Sequence, residues 1–172
     1  MNPTLCYDYP LLVTLNIEGE YFDLFGKMIG KLLIPIGFLP LEKPNETRIA
    51  ATHDGPWSKI FERLDEQKPK SLVFVGFKSE CKLNRDQTYV IASKIESSKL
   101  PFLWALRKPS WASNDLDVVP PEFNRRTSGR GRVCIGWAPQ IEILAHSSIG
   151  GSLFHVVWGS MIETLQFGHC SN

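Results

Sequence analysis

Apolar positions along residues 57–167 repeat with helical spacing in some segments and as short continuous runs in others. The helical spacing is clearest at Trp57, Ile60, Phe61 and Leu64, which fall at i, i+3, i+4 and i+7 and predict an amphipathic helix. Four short apolar runs rich in β-forming residues predict buried strands at 71–77, 101–107, 132–136 and 150–155.

Further helices are predicted between these strands. Asn84 and Gln87 have the spacing of a capping box, which predicts a helix through about Ser98. Its inward positions are expected to be Val90, Ile91 and Ile95. Pro139 suits the first position of a short helix, and residues 160–167 predict a last one. Strands that alternate with helices at this spacing favour an α/β fold with a parallel, doubly wound sheet.

The composition changes before this region. Residues 40–56 are rich in Pro, Glu, Lys, Asn and Thr, which is typical of a linker. We therefore expect a domain boundary there, with the sheet domain at 57–172. Residues 18–31 carry an apolar face, whereas the segments 11–15 and 31–40 suit a short strand and an extended connector.

Composition excludes several classes of protein. Hydrophobic residues make up 43% of the chain, which is enough for a packed core. The net charge of +1 argues against a nucleic-acid surface built on bulk charge. The four cysteines lack CxxC spacing, and we expect a reduced, cytoplasmic protein without a metal site, a secretory signal or a membrane span. Cys134, inside an apolar run, is expected to be buried.

Polar and aromatic residues follow the predicted strands, and parallel sheets bind ligands at the carboxyl ends of their strands. These residues are Lys78 and Ser79 after the first strand, Lys108 after the second, Trp137 to Gln140 after the third, and His155, Trp158 and Ser160 after the fourth. Their convergence predicts a binding site at one rim of the sheet.

Each candidate also has a structural interpretation. Ser160 and Glu163 could form a capping box, or the helix N-terminus they mark could hold a phosphate. Trp137 could lie in the core, or it could stack on a flat base. His155 and His146 could be structural, while Gln140 and Glu163 could either bind ribose hydroxyls or face solvent.

The segment from Trp137 onward resembles the signature box of plant UDP-dependent glycosyltransferases, W-A-P-Q, H-x-x-x-G-G and H-C-G-W-N-S-x-x-E. The matching residues are Trp137, Ala138, Pro139, Gln140, His146, Gly150, Gly151, His155, Trp158, Ser160 and Glu163. Gly159, which stands where most of the family has Asn, together with SECKL and ETLQFGH, resembles the branch that glycosylates existing glycosides, including rhamnosyltransferases. The resemblance extends from about residue 18 to the end.

The resemblance implies a partial C-terminal, donor-binding domain of a two-domain GT-B enzyme with Rossmann-like sheets. Residues 1–39 would be a remnant of the acceptor domain and crossover, 40–56 the interdomain linker, and 57–172 the partial donor domain. The reaction implied is an inverting transfer of a hexose or rhamnose from a UDP-sugar to a hydroxyl of a small-molecule plant glycoside, without a cofactor or metal.

The resemblance also implies individual roles. Trp137 would stack on uracil and Ala138 would contact it through its backbone, while Gln140 and Glu163 would hold the ribose. The diphosphate would meet Ser79, His155, Ser160 and the backbone of Gly159, and Trp158 would lie near the sugar.

Departures from the family pattern bear on activity. The family's catalytic base is a His just after the first strand of the N-terminal domain, but no His precedes His53 in this chain. We therefore expect no catalytic residue in this chain and no activity of the chain alone. It also ends before the family's Asp-Gln pair. Lys78 and Val157 replace glycines near the phosphates, and strain at 157 would cost about 1–3 kcal/mol. The alternatives are a catalytically dead nucleotide- or partner-binding remnant, or a poorly folding chain whose fourth strand forms an exposed edge.

Overall fold

The computed structural model describes residues 15–30, 42–55, 57–77, 81–155 and 158–171. The chain divides into two compact units, Met1–Leu41 and Glu42–Asn172. The predicted strand at 11–15, the connector at 31–40, and Lys78, Ser79 and Val157 lie outside the described residues, apart from the backbone of residue 15. In the first unit, helix α1 spans Leu15–Ile29.

In the described part of the second unit, five parallel strands form one sheet in the order β3-β2-β1-β4-β5. The strands are β1 (Leu72–Gly76), β2 (Phe102–Leu106), β3 (Gly131–Ile135), β4 (Ile149–Leu153) and β5 (Cys170–Ser171). The chain winds outward from β1 to β3 and then returns to the other side of β1. This is the doubly wound, Rossmann-like topology that the sequence predicted, and its switch point lies between β1 and β4.

Helices connect these strands. They are α2 (Glu46–His53), α3 (Ser58–Asp65), α4 (Arg85–Ser98), α5 (Phe123–Thr127), α6 (Gln140–Ala145) and α7 (Trp158–Gln166). Helices α3 and α6 contribute to the core on one face of the sheet, while α4 and α5 contribute to the core on the other.

Alternating side chains of the central strands fill the two cores. Phe74 and Leu103 pack on one face of the sheet, whereas Val75 and Trp104 pack on the other. Successive residues of a strand point to opposite faces, so a strand covered on both faces becomes a continuous apolar run. That is why these strands were visible in the sequence.

Helix α4 confirms its predicted capping box. The Asn84 side chain accepts a hydrogen bond from the Gln87 backbone, and the Gln87 side chain accepts one from the Asn84 backbone. The predicted inward face was partly wrong, because Val90 is 59% exposed while Thr88 and Ala92 are buried together with Ile95. The Thr88 hydroxyl donates to a backbone carbonyl one turn earlier, so this polar residue is satisfied in the interior.

The segment predicted to be a linker contains helix α2, which the sequence pattern did not predict. Asn45 caps this helix by accepting a hydrogen bond of 2.9 Å from the backbone N–H of Arg48. Helix α2 lies against α3 and α6 in the second unit. The polar composition of this segment gave no helical pattern of apolar residues, because a short helix on a domain surface needs little apolar surface.

The expectation of an exposed edge at the fourth strand was wrong, and the expected burial of Cys134 was met only in part. Strand β4 is not an edge, because it pairs with β1 on one side and with the short strand β5 on the other. Cys134 is only partly buried, at the edge of one core. This burial still raises the pKa of its thiol to about 11, so the thiol stays protonated at neutral pH.

Candidate functional site

A cavity of about 320 Å³ opens at the carboxyl ends of β1, β2 and β3. Its lining residues are Arg48, Gly76, Phe77, Ala105, Arg107, Gly136, Trp137, Ala138, Pro139, Gln140, Ile141, Glu142 and Glu163. This is the rim at which the strand pattern predicted a site, and it adjoins the switch point of the sheet. The order and direction of the strands therefore determine where the cavity lies. The residues that follow the strands determine which chemical groups line it.

The turn after β3 directs Trp137 toward the cavity. Gly136 adopts a φ of +118°, a conformation that few other residues tolerate, and its N–H donates to the carbonyl of Leu106. The Trp137 side chain is 69% exposed and lines the cavity. Of the two interpretations that the sequence left open, a core position for this indole is thus wrong.

Gln140 and Glu163 meet across the cavity from different helices. Gln140 begins α6 and donates from its Nε2 to Oε2 of Glu163 in α7 at 2.5 Å. Glu163 is only 7% exposed, so its carboxylate is held at the wall of the cavity and does not extend into solvent. Residues 23 positions apart in sequence thereby form a polar pair beside an exposed indole.

The two residues between Trp137 and Gln140 complete the turn that leads into α6. Ala138 lines the cavity, and its carbonyl accepts from the N–H of Gln140 at 2.9 Å. Pro139 is buried and stands just before α6, one position earlier than the sequence suggested. A proline is tolerated here because the first N–H groups of a helix have no partner within the helix.

Of the two interpretations of Ser160 and Glu163, the capping box is wrong. The helix begins at Trp158, so Ser160 is its third residue and not the residue before it. Ser160 is 1% exposed, and its hydroxyl has no hydrogen-bond partner among the described residues. The carbonyl of Ser160 is engaged, since it accepts from the hydroxyl of Thr164 at 2.8 Å.

His155 lies just beyond the carboxyl end of β4. Its ring stacks on Phe77, which follows β1, with ring centroids 6.3 Å apart and planes at 15°. Nδ1 of His155 is buried and has no partner within the described ranges. Gly159 is exposed in the first turn of α7, whereas Ser79 and the side chain of Trp158 lie outside what the structure describes.

His146 has a structural role, as one interpretation of the sequence held. Its Nε2 lies 3.0 Å from Oδ1 of Asp65, and its Nδ1 lies 2.8 Å from the hydroxyl of Ser148. The ring also packs edge-on against Phe61. These contacts join α3 to the loop before β4, away from the residues that line the cavity.

Two arginines at the cavity were not predicted from the sequence. Arg107 follows β2, and Arg48 comes from α2. Nη2 of Arg48 lies 2.6 Å from Oε1 of Glu142, a carboxylate that is almost fully buried in the first turn of α6. The signal for Arg48 was hidden because its segment lacks hydrophobic periodicity, so nothing in the pattern placed it near the sheet.

The described residues contain no group of three or more His, Cys, Asp or Glu side chains placed to hold a metal ion. None of the described helices is both long and apolar enough to cross a membrane.

Comparisons with known proteins connect this geometry to a family. No family model matches the chain. It is 37% identical over 154 residues to UDP-glycosyltransferase 91B1 of Arabidopsis thaliana, covering 90% of this chain and 32% of that protein. It is 36% identical over 164 residues to soyasaponin III rhamnosyltransferase of Glycine max, covering 95% of this chain and 34% of that protein. The chain thus spans about a third of the length of the curated relatives it matches.

Solved structures of glycosyltransferases are also similar to this chain in fold and sequence. A transferase from Siraitia grosvenorii in complex with UDP has a TM-score of 0.66 at 33% identity, over 93% of this chain and 38% of that one. A UDP-glucosyltransferase from Polygonum tinctorium has a TM-score of 0.65 at 31% identity, over 82% of this chain and 28% of that one.

Proposed function

Because this chain is homologous to the plant UDP-dependent glycosyltransferases over about nine tenths of its length, we propose that it carries their donor half-site. In that role it binds a UDP-sugar for an inverting transfer of a hexose or rhamnose to a hydroxyl of a glycosylated plant metabolite. Metal is not required in this proposal.

The observation that carries the proposal is the position of Trp137. Its exposed indole lines the same cavity as the Gln140–Glu163 pair. A flat base resting on the indole would place its ribose toward this polar pair. A carboxylate accepts up to about four hydrogen bonds, so Glu163 can hold Gln140 and a ribose hydroxyl together. Ala138 would contact the uracil through its backbone.

The diphosphate is assigned to the first turn of α7 and its neighbours. Ser160, the backbone of Gly159, His155 and Ser79 are its proposed partners, with Trp158 near the sugar. The support from the described residues is a buried serine hydroxyl without a protein partner, located where a helix N-terminus favours an anion.

Binding of UDP tests the proposal most directly. Replacing Trp137 by Ala should weaken UDP binding at least about fivefold, because stacking of a base on an aromatic ring is worth about 1–3 kcal/mol. Replacing Trp137 by Phe keeps a ring and should retain most of the affinity. Isothermal titration calorimetry measures both variants, and equal affinity of Trp137→Ala and the unchanged chain would refute the half-site.

Transfer is a separate question from binding. The relatives include a rhamnosyltransferase acting on a soyasaponin and a mogroside IIIx synthase, which supports a glycoside acceptor. Removal of the acceptor proton needs a general base. The described residues that line the cavity include no histidine, and their two carboxylates are engaged, Glu142 by Arg48 and Glu163 by Gln140. We therefore propose that the chain alone binds donor without transferring sugar. Incubation with UDP-glucose or UDP-rhamnose and a flavonoid glucoside should yield no product, and steady turnover would contradict this.

A further inference from the structure

Arg48 lines the same two cavities as Trp137. It lines the cavity that contains Gln140 and Glu163, and it also lines a second cavity of about 270 Å³ beside it. The second cavity is walled by Trp57, Ala51 and Gly55 and is shared by Trp137, Pro139 and Glu142. Gln140 and Glu163 line the first cavity and do not line the second. Arg48 therefore lies toward the end of the site away from the Gln140–Glu163 pair.

The guanidinium of Arg48 is held by one ion pair and keeps other N–H donors available. Nη2 is paired with Glu142 at 2.6 Å, while 53% of the Arg48 side chain remains exposed. A guanidinium carries five N–H donors and no acceptor. The helix that carries Arg48 is also stabilised at its N-terminus, because the Asn45 side chain accepts a hydrogen bond from the backbone N–H of Arg48 itself. The site thus has a positioned group that can only donate hydrogen bonds.

This inference rests on the proposed function. If the ribose lies at Gln140 and Glu163, position 4 of the pyrimidine is directed away from them, because it lies across the ring from the glycosidic bond. We propose that Arg48 donates a hydrogen bond to the carbonyl O4 of uracil and is a specificity-determining residue of the site. It favours a uridine nucleotide over a cytidine nucleotide, whose position 4 carries an amino group that only donates.

Glu142 adds a second expected effect of removing Arg48. With Arg48 in place, its carboxylate is neutralised by the ion pair. Without Arg48, the same carboxylate is left at the cavity as an acceptor, and an acceptor suits the amino group of cytosine. Removal of Arg48 should therefore weaken UDP binding and also shift the preference of the site toward CDP.

The experiment compares UDP and CDP by calorimetry on the whole chain and four variants. Arg48→Met keeps the length of the side chain without its donors, and Arg48→Lys keeps a single charged donor. Arg48→Met with Glu142→Gln removes both charged partners. Arg125→Met is the matched control, since Arg125 is paired with Glu122 but lines neither cavity.

The expected result is a change in selectivity. Arg48→Met should lower the ratio of UDP affinity to CDP affinity at least about tenfold, as loss of one charged hydrogen bond predicts. Arg48→Lys should retain part of the ratio, and the double variant should bind CDP more weakly than Arg48→Met alone. Arg125→Met should leave both affinities unchanged.

Other outcomes separate this inference from the proposed function. If UDP binds and depends on Trp137, but Arg48→Met weakens UDP and CDP equally, Arg48 only positions α2 and the inference is wrong. An unchanged ratio with unchanged affinities also overturns it. Absence of UDP binding by the unmodified chain overturns both the inference and the proposed function. A thermal melt of each variant identifies losses caused by unfolding, and a folded variant with an unaltered ratio counts against the inference.

Discussion

Ser160 shows how one residue can fit a sequence motif and serve a different purpose in the fold. Its spacing from Glu163 matches a capping box, yet the helix begins two residues earlier and the hydroxyl caps nothing. Burial of a hydroxyl without a partner costs stability, typically about 1–3 kcal/mol. A group kept at that cost is a candidate for contact with a ligand.

At this scale we predict that Ser160→Ala separates stability from binding. The variant should be as stable as the unchanged chain or slightly more stable, because no hydrogen bond to a described residue is lost. Its affinity for UDP should fall about fivefold, while its affinity for uridine, which lacks phosphates, should not change. Thermal unfolding and calorimetry measure the two effects.

Thr164→Val supplies the control. The Thr164 hydroxyl donates to the Ser160 carbonyl and lies 3.2 Å from the hydroxyl of Ser152 in the interior. Its removal should destabilise the fold by about 1–2 kcal/mol. If Ser160→Ala were the more destabilising of the two variants, the hydroxyl of Ser160 would have a structural partner and the phosphate role would lose its support.

At the scale of elements, Arg130 joins the end of α4 to the start of β2. Its guanidinium donates to the carbonyls of Ile95, Glu96 and Leu100 at 2.8–3.3 Å and lies over the ring of Phe102. The last carbonyls of a helix have no partner within the helix, so a cation at this position satisfies them and interacts favourably with the helix dipole.

We predict that Arg130→Met lowers the free energy of unfolding by about 2–3 kcal/mol, because charged hydrogen bonds to several carbonyls are lost together. Urea denaturation measures the loss. Arg125→Met, which breaks only an exposed ion pair with Glu122 on the same helical turn, should cost less than about 1 kcal/mol. Equal losses in the two variants would show that Arg130 does not hold α4 against β2.

At the scale of the whole molecule, the second unit contains what a folding domain needs. The sheet has a core on each face, and the described lining of the cavity beside Trp137 lies entirely within Glu42–Asn172. Interior packing of this kind supports cooperative unfolding of a domain of its size. The unit also includes α2, with Arg48.

A chain reduced to residues 42–172 should therefore unfold in one transition, with a midpoint within a few degrees of that of the full chain. Its affinity for UDP should be unchanged within about twofold, because none of the residues assigned to the nucleotide is removed. Circular dichroism and calorimetry test these expectations. Aggregation or a noncooperative melt of 42–172, with a cooperative melt of the full chain, would show that the first unit is needed for folding.

Strands β1 to β4, the capping box of α4 and the rim on which Trp137 lies were predictable from sequence, whereas the two-residue strand β5 was not. Buried strands need apolar runs, a capping box needs two residues at fixed spacing, and parallel strands end at a common edge. These are local requirements, so they leave local patterns.

Only the tertiary structure decided the exposure of Val90, the helix at 46–53, the start of α7 and the pair between Arg48 and Glu142. Each depends on which surfaces meet. Val90 is exposed because α4 packs through Thr88 and Ala92, and Arg48 reaches the cavity because α2 lies beside α6. Contacts between residues far apart in the chain have no fixed spacing, so no periodicity in the sequence records them.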